Sequence, residues 1–344
     1  MIYLDNAATT VCKFPASTYD DIWGNANTPY KFGLNAKQVA DECREKVKEC
    51  LGVKGGKVIF CSNASEAAKI LCDRFYVENF KTYCWLYEHD SVYDNVETHD
   101  YSKTTHHSNR TAIFQQWVNP VTGTIFDIPS IRQALGNDCF LCMDATAGIG
   151  KRVLTQSIIS SVDAIWFSGH KFNGPKTGGI LWVSDKLNRT LYLSDDSRNE
   201  YGLKHGTLDV PSFIATTYAL DEAVTQEIDN VAYYAELNNY LSNRAGNKIV
   251  ISNPYTQGQI GATVLIDTGC NADALAQYLS SKDIYVGLAH SACSADADYR
   301  VTQAFGISKE TAERCIRVSF SEDNTFNDVD ALVDGIKEFK EKFV

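Results

Sequence analysis

Short apolar runs alternate with longer amphipathic stretches through the first two thirds of the chain. The amphipathic stretches predict helices near 128–136 and 212–240, and one at 65–80 that begins at Ser65 with Glu66 in its first turn. This alternation is typical of an α/β domain with a mostly parallel sheet covered by helices. The apolar runs predict buried strands at 57–62, 83–87, 111–117, 139–144, 164–168 and 179–183.

The pattern changes at about residue 245. Beyond that point strands and helices are shorter and mixed, which predicts a smaller α+β domain that also takes in the N-terminal strand. The predicted domains are therefore 12–244, and 1–11 together with 245–344. The predicted strands here are 249–252, 261–267 and 284–287, and the predicted helices lie near 271–280, 308–314 and 326–342.

Composition narrows the class of protein. The 344 residues can bury a large core, and 44% hydrophobic with 22% charged residues is ordinary for a globular enzyme. A formal net charge of −11 disfavours nucleic acid and acidic membranes as partners. No apolar run approaches the roughly 20 residues that span a bilayer, and the opening "MIYLDNAATT" predicts no signal peptide.

The cysteines indicate a reducing compartment. Eleven cysteines, an odd number at irregular spacing, predict reduced thiols and a cytoplasmic location. Cys139 and Cys142 form a CxxC, but a strand directs residues three apart to opposite faces, so a metal or redox pair is not expected. We interpret Cys12, Cys43, Cys50, Cys61, Cys72, Cys84, Cys270 and Cys315 as structural.

The stretch "IWFSGHKFNGPKTGG" (165–179) places Lys171 between a buried strand and a glycine-rich turn. Alone, such a lysine is either a solvated loop charge or a catalytic amine. Several other polar side chains also fall at or just past predicted strand ends. In an α/β sheet, ligands bind beyond the carboxyl ends of the strands, so these residues are expected to converge. They are Ser62, His89, Asp144 and Ser168.

A lysine amine and a buried carboxylate suit pyridoxal 5′-phosphate (PLP), a cofactor that acts as an electron sink. Asp144 suits the protonated ring nitrogen, and Lys171 suits the covalent link to the cofactor. The phosphate needs backbone N–H groups at a helix start, which "SNASE" (62–66) would supply together with Ser168 and His170. His89 suits stacking on the ring and moving protons.

The order of these motifs resembles the cysteine desulfurases, in the class V aminotransferase group of fold-type I PLP enzymes. The resemblance covers nearly the whole chain, and "FSGHKFNGPKTGG" is its strongest match. It implies a homodimer. The other matching segments are "YLDNAATT", "GNANTPYKFG", "SNASEA", "EHDSV", "MDATAGIGK", "KHGTLDV", "HSACSAD" and "IRVSFSEDNT".

The resemblance implies a role for each matched residue. Lys171, His89 and Cys293 would be catalytic, with Cys293 the thiol that receives sulfur from L-cysteine as a persulfide. Arg317 and Asn25 would bind the substrate. Alanine would be released, and the sulfur would pass to an unidentified acceptor protein. The implied cofactor-binding residues are Lys171, Asp144, His89, Ala64, Ser65, Asn119, Ser168, His170 and, reaching the phosphate of the neighbouring subunit, Thr207.

Three positions depart from the family pattern. Ala147 stands where a glutamine usually bonds the cofactor's ring oxygen, and Pro120 stands where an asparagine is usual, with Asn119 beside it as a substitute. His290 replaces a glycine in the loop that carries Cys293. The chain also ends soon after the 326–342 helix, where a tail that docks on an iron–sulfur scaffold would otherwise follow.

Alternatives remain at this point. Asp144 could be a helix N-cap, His89 a structural histidine, Arg317 a surface ion pair and Cys293 a small buried residue. "GHKFNGPKT" (169–177) approaches a nucleotide-binding P-loop, although Pro175 interrupts it. An aminotransferase or lyase in which Cys293 is incidental, and a non-catalytic sulfur carrier, are the other readings. The motifs do not separate cysteine from selenocysteine as substrate.

Overall fold

The computed structural model describes residues 1–14, 22–99, 110–193, 199–245, 248–249, 256–290 and 298–344. Within these ranges the strands are β1 Ile2–Leu4, β2 Lys57–Cys61, β3 Lys81–Cys84, β4 Thr98–His99, β5 Thr111–Gln116, β6 Thr124–Phe126, β7 Phe140–Asp144, β8 Ala164–Ser168, β9 Gly179–Val183, β10 Thr256–Gln259, β11 Thr263–Asp267, β12 Ile284–Leu288 and β13 Cys315–Ser319. The helices are α1 Lys31–Leu51, α2 Ala64–Val77, α3 Asp90–Tyr93, α4 Ile128–Leu135, α5 Gln156–Ile159, α6 Asp185–Thr190, α7 Val210–Thr225, α8 Glu227–Ala245, α9 Ala272–Ser280, α10 Arg300–Ala304, α11 Lys309–Ala312 and α12 Phe326–Phe343.

A seven-stranded sheet of order β2-β9-β8-β7-β5-β3-β4 forms the centre of the molecule. Strand β9 runs antiparallel to β2 and β8, and the remaining neighbours are parallel. Two apolar clusters cover its faces, one with α1 and α7 and the other with α2 and α6. The predicted α/β class with a mostly parallel sheet is confirmed.

A second sheet of order β1-β12-β13-β11 joins the N-terminal strand to the C-terminal part of the chain. Strand β1 pairs in parallel with β12, so Tyr3 lies beside Tyr285. Helices α9 and α12 contribute Leu275, Leu279, Leu332 and Ile336 to the apolar cluster under this sheet. The predicted division into 12–244 and 1–11 with 245–344 remains a proposal.

Several elements differ from the sequence-based prediction. Helix α1, 21 residues long, was not predicted, and the stretch 212–240 forms two helices, α7 and α8, rather than one. Strand β3 lies at Lys81–Cys84 instead of 83–87. Most of the predicted strand 249–252 lies outside the described residues.

The cysteines occupy largely the predicted environments. Cys139 and Cys142 belong to the two different apolar clusters, so they lie on opposite sides of the central sheet, as predicted. Cys12 is exposed, which does not agree with its interpretation as a structural residue. In the part of the chain that the structure describes, no cluster of His, Cys, Asp and Glu could hold a metal ion. None of the described helices is both long and apolar enough to span a membrane.

Candidate active site

A cavity of about 440 Å³ lies at the carboxyl ends of the central strands. Gln116, Asp144 and Ser168, the last residues of β5, β7 and β8, line its floor. The start of α2, residues of the N-terminal segment and Arg317 of β13 close its sides. The cavity therefore lies between the two sheets, where ligands of open α/β folds bind.

Eight of the predicted site residues line this one cavity: Ala64, Ser65, His89, Asp144, Ser168, His170, Lys171 and Arg317. Asn119 does not, because its side-chain oxygen accepts hydrogen bonds from the amides of Val121 and Thr122 in its own turn. Asn25 and Thr207 also lie outside the lining, and Thr207 is exposed. Cys293 lies outside the described residues.

Lys171 ends a 3₁₀ turn, Gly169–Lys171, that follows β8 directly. Its Nζ donates hydrogen bonds to the carbonyl oxygens of Ala7 (2.6 Å) and Ala8 (2.7 Å). The turn must be glycine-rich because a Cβ at Gly178 would lie 2.1 Å from Oγ1 of Thr216. The amine is thus held inside the cavity by backbone carbonyls and is not a solvated loop charge.

The same segment decides against the P-loop alternative. Residues 169–178 connect β8 to the antiparallel strand β9, whereas a P-loop connects a strand to a helix. Lys176, which would correspond to the P-loop lysine, is exposed and lines the rim of the same cavity. The nucleotide-binding interpretation is therefore not supported.

Asp144 is 8% exposed at the end of β7. Its Oδ1 accepts a hydrogen bond from the backbone N–H of Thr146 at 2.8 Å. Burial raises the pKa of Asp144, while the bonds from Thr146 and the charges of His89 and Lys171 act in the opposite direction. Among the described residues no helix begins directly after Asp144, so its carboxyl group is available to a cation or a protonated ring nitrogen in the cavity.

His89 caps the short helix α3 and lines the cavity at the same time. Its Nδ1 accepts the backbone N–H of Ser91 at 3.1 Å. Because that backbone group can only donate, this bond favours the tautomer with the proton on Nε2, and the Ser91 hydroxyl, 2.9 Å from Nδ1, can donate to the same nitrogen. The structural and catalytic interpretations of His89 are therefore compatible.

One end of the cavity has the character of an anion site. Ala64 and Ser65 are the first residues of α2, where backbone N–H groups have no partner within the helix. Gly179 permits the close approach of this helix, because a Cβ there would lie 2.6 Å from the backbone of Asn63. Ser168 Oγ is buried at the same end and has no hydrogen-bond partner among the described residues.

His170 faces this region as a neutral ring. Burial, followed by the charges of Lys171 and Lys151, lowers the pKa of His170 to about 4. Its Nδ1 lies 3.1 Å from Oγ1 of Thr9. A neutral imidazole can donate one hydrogen bond to an anion without adding a buried charge.

Arg317 is 1% exposed and is not a surface ion pair. Its Nη2 lies 2.7 Å from Oδ1 of Asp5, and its Nη1 donates to the carbonyl of Pro120 at 3.3 Å. Its Nε is buried with no hydrogen-bond partner among the described residues. A Cβ at Gly287 would lie 2.5 Å from Asp5 Oδ1, so the pair needs glycine there. The guanidinium is therefore preorganised to receive a carboxylate.

Two parts of the site were missed by reasoning from sequence. The first is the N-terminal segment. Asp5 bonds Arg317, and Thr9 contacts His170. The carbonyl oxygens of Ala7 and Ala8 accept hydrogen bonds from Lys171. The "YLDNAATT" motif indicated that this segment matters. Every residue has a backbone carbonyl, however, so the sequence does not show which carbonyls bind Lys171.

The second is Lys151, a 9% exposed lysine whose Nζ donates to the carbonyl of Lys171 at 3.0 Å. Burial, followed by the charge of Lys171, lowers the pKa of Lys151 to about 7. A charged residue after the small-residue run "ATAGIG" was the signal that could have identified it.

The site fits PLP by its donor set. A lysine amine, a buried carboxyl group, a histidine and an anion site with the unpartnered Ser168 hydroxyl share one cavity. Nε of Arg317 is a second buried polar atom in the cavity without a partner among the described residues. Buried polar groups are rarely left unsatisfied, so these atoms indicate a polar ligand. Ala147 and Pro120 also line the cavity, so the usual glutamine and asparagine donors are replaced by apolar groups.

Comparisons with known proteins agree with this geometry. The chain is 28% identical to cysteine desulfurase IscS of Buchnera aphidicola subsp. Schizaphis graminum, over 97% of this chain and 91% of that protein. It is 27% identical to a NifS/IcsS protein homolog of Lactobacillus delbrueckii subsp. bulgaricus, over 100% of this chain and 98% of that protein.

Solved structures show the same fold. A NifS-like protein superimposes with a TM-score of 0.83 at 21% identity, covering 99% of each chain. A cysteine desulfurase from Thermococcus onnurineus NA1 gives 0.79 at 16% identity, over 99% of this chain and 94% of that one. The sequence profile of the family "Aminotransferase class-V" matches residues 2–82 and 91–332. The chain therefore belongs to the class V aminotransferase family, as the resemblance in its sequence predicted.

Proposed function

We propose that this protein is a PLP-dependent cysteine desulfurase that converts L-cysteine to L-alanine and passes the sulfur to an acceptor protein. The observation that carries the proposal is the convergence of Lys171, Asp144, His89 and Arg317 in one cavity. The near full-length similarity to proteins named cysteine desulfurase supports the choice of reaction within the family.

The cofactor would lie with its phosphate at the start of α2, near Ser168 and His170, and its ring nitrogen at Asp144. Bound there, PLP supplies an electron sink that stabilises negative charge at the substrate carbons. The chain supplies the rest. Arg317 binds the substrate carboxylate in a bidentate geometry, and the surrounding apolar groups reduce competition from water.

Two groups of the chain move protons. Lys171 provides the amine at the centre of the cavity, held by the carbonyls of Ala7 and Ala8 until it reacts. His89 carries its proton on Nε2 because Nδ1 is occupied by Ser91. An imidazole with one defined protonated nitrogen can act as a general acid and base near neutral pH.

The sulfur step uses Cys293, a role that the resemblance in the sequence supports. The thiolate of Cys293 attacks the sulfur of the bound cysteine, and an S–S bond forms as the bond between that sulfur and the substrate Cβ breaks. The electron pair left on the substrate carbon takes up a proton, which gives alanine. The enzyme retains a persulfide on Cys293, which the acceptor protein later removes.

Alanine release from L-cysteine tests this function. The wild-type protein with bound PLP and a thiol reductant should release alanine, and Lys171→Ala and Cys293→Ala should not. Cys12→Ala is the matched control, since Cys12 is exposed and does not line the cavity. Full activity of Cys293→Ala would contradict the sulfur-transfer role.

One observation favours a second candidate, an aminotransferase or lyase in which Cys293 is not the sulfur acceptor. Ala147 lines the cavity where the family pattern has a glutamine, so a donor to the cofactor's ring oxygen is missing. Protein that holds PLP but releases no alanine from cysteine, while converting a 2-oxo acid to an amino acid, would favour this candidate.

We also propose that the protein is a homodimer in which Thr207 binds the phosphate in the neighbouring subunit. Thr207 is exposed and does not line the cavity of its own chain, which agrees with a role at a second site. Thr207→Ala should lower PLP retention, whereas Thr155→Ala, at another exposed threonine, should not. Unchanged retention in Thr207→Ala would remove the argument.

A further inference from the structure

Arg300 holds the segment that carries His89. This arginine is the first residue of α10, in the C-terminal part of the chain, and its side chain is 17% exposed. Its Nη1 donates to the carbonyl oxygens of Leu86 (2.5 Å) and Glu88 (2.8 Å). Its Nη2 lies 2.5 Å from Oδ1 of Asp90. The guanidinium therefore contacts the backbone directly before His89 and the side chain directly after it.

The guanidinium group also packs on an aromatic ring. Its central carbon lies 3.9 Å from the centroid of Tyr93, the last residue of α3. Such a cation–π contact adds to the hydrogen bonds and restricts the guanidinium plane. Arg300 thus contacts both the segment before α3 and the end of α3.

The opposite side of the segment is fixed by strand β5. The carboxyl group of Glu88 accepts the backbone N–H of Gln116 at 2.7 Å, and the carbonyl of Tyr87 accepts Nε2 of Gln116 at 2.9 Å. These bonds come from the central sheet. The segment 86–90 is therefore held from inside by β5 and from outside by Arg300.

This arrangement bears on the protonation of His89. The ring keeps its proton on Nε2 while Nδ1 accepts from Ser91, whose backbone N–H lies 3.1 Å and whose hydroxyl lies 2.9 Å from that nitrogen. That alignment requires the backbone on both sides of His89 to stay in place. A planar fork that spans two carbonyls and a carboxylate can fix it, whereas a single ammonium cannot.

We propose that Arg300 is a positioning residue that sets the orientation and tautomer of His89, and so links the C-terminal part of the chain to the catalytic cavity. Its catalytic consequence rests on the proposed function, in which His89 moves protons. Its structural consequence does not, because the tautomer of His89 can be observed without turnover.

The test compares wild type, Arg300→Met and Arg300→Lys, each with PLP bound. Imidazole nitrogen chemical shifts at pH 8, in protein labelled with ¹⁵N-histidine, report the tautomer, and His89→Gln assigns the signal. Wild type should show one tautomer with the proton on Nε2. Arg300→Met should show a mixture of the two tautomers. Arg300→Lys should also show a mixture, because lysine keeps the charge but not the planar fork of donors.

Arg314→Met is the matched control. Arg314 also bonds a carboxylate, Asp267 at 2.7 Å, and a carbonyl, that of Glu310, but both partners lie outside the segment 86–90. It should leave the His89 signal unchanged. The kcat for L-cysteine should fall in Arg300→Met by up to about 100-fold, the loss expected from a small misplacement of a catalytic group.

Three results would overturn the proposal: a mixture of tautomers in wild type, a wild-type signal in Arg300→Met, or a wild-type signal in Arg300→Lys. If Arg300→Met does not fold, the result for Arg300→Lys decides. If wild type has no desulfurase activity but Arg300→Lys loses the single tautomer, the positioning role stands and the proposed function fails. The two hypotheses are thereby separated.

Discussion

Lys151→Met is expected to change stability in a way that depends strongly on pH. Lys151 is buried, and its Nζ donates to the carbonyl of Lys171. Burial is the main cause that lowers the pKa of Lys151 from 10.5 to about 7, and the charge of Lys171 is the second. Methionine has a similar length and no charge, so it removes the titrating group and retains most of the packing.

The direction in which the free energy of unfolding changes with pH follows from the number of protons that the folded and unfolded states bind. Between pH 7 and 10.5 the unfolded lysine is protonated and the folded one is not, so the free energy of unfolding rises with pH in this window. Below pH 7 both states are protonated, and the full penalty for burying the ammonium remains. One pKa unit corresponds to about 1.4 kcal/mol, so this group raises wild-type stability by about 2.7 kcal/mol from pH 6 to pH 9.

Loss of the hydrogen bond to Lys171 lowers the free energy of unfolding of the variant by about 1 to 3 kcal/mol. This contribution is the same at both pH values and therefore cancels when they are compared. The free energy of unfolding of Lys151→Met minus that of wild type should therefore fall by about 2.7 kcal/mol between pH 6 and pH 9. Titrating groups that do not interact with Lys151 are common to both proteins and also cancel.

Urea unfolding at pH 6, 7, 8 and 9 measures this difference. The protein is freed of PLP first, because the pKa of Lys151 depends in part on the charge of Lys171. Lys69→Met is the control, since Lys69 is 58% exposed on α2 and should show no such trend. A difference for Lys151→Met that stays constant with pH, like that of the control, would show that burial does not lower the pKa of Lys151.

Two further substitutions test other parts of the cavity. Ser168→Ala should weaken PLP binding by about 10-fold in equilibrium dialysis, because a buried hydroxyl available to the phosphate is lost. The same change should not lower the melting temperature of the cofactor-free protein, since it removes a buried group without a partner; a large decrease would contradict this. Gly287→Ala should raise the KM for L-cysteine by about 10-fold or more, because a Cβ 2.8 Å from Arg317 Nη2 forces the Asp5 pair apart. An unchanged KM would show that the pair does not position Arg317.

The central strands were predictable because they are buried on both faces. β7, β8 and β9 are continuous apolar runs bounded by turn residues, and their observed bounds lie within one residue of the predicted ones. Their carboxyl ends then placed Asp144 and Ser168 at a common edge. That geometric rule, together with the motifs, was sufficient to assemble most of the cavity from sequence.

Helix α1 was missed for a physical reason. Its buried face includes the small residues Ala36, Ala40 and Cys43 and the polar Arg44, and its only large apolar side chains are Val47 and Leu51. Its N-cap, Tyr30, makes no side-chain hydrogen bond to the first turn. Neither the apolar periodicity nor the capping signal was strong, and the packing against α7 stabilises this helix.

The contacts that complete the site were also beyond sequence reasoning. Asp5 and Arg317 are 312 residues apart, and Arg300 bonds a carbonyl 214 residues away. The carbonyls of Ala7 and Ala8 accept hydrogen bonds from Lys171 because of their position in the fold. The alanine side chains give no indication of this contact. Strand-end rules place side chains along one edge, but only the fold brings distant segments together.

The most direct test of the account is to locate the covalent attachment of PLP. The PLP-loaded protein is treated with borohydride, which reduces the carbon–nitrogen bond between PLP and a lysine to a stable amine, and the digested protein is analysed by mass spectrometry. The cofactor should be found on Lys171, and Lys171→Ala protein should carry none. Attachment to Lys151 or Lys176, or no attachment at any lysine of the wild-type protein, would contradict this expectation.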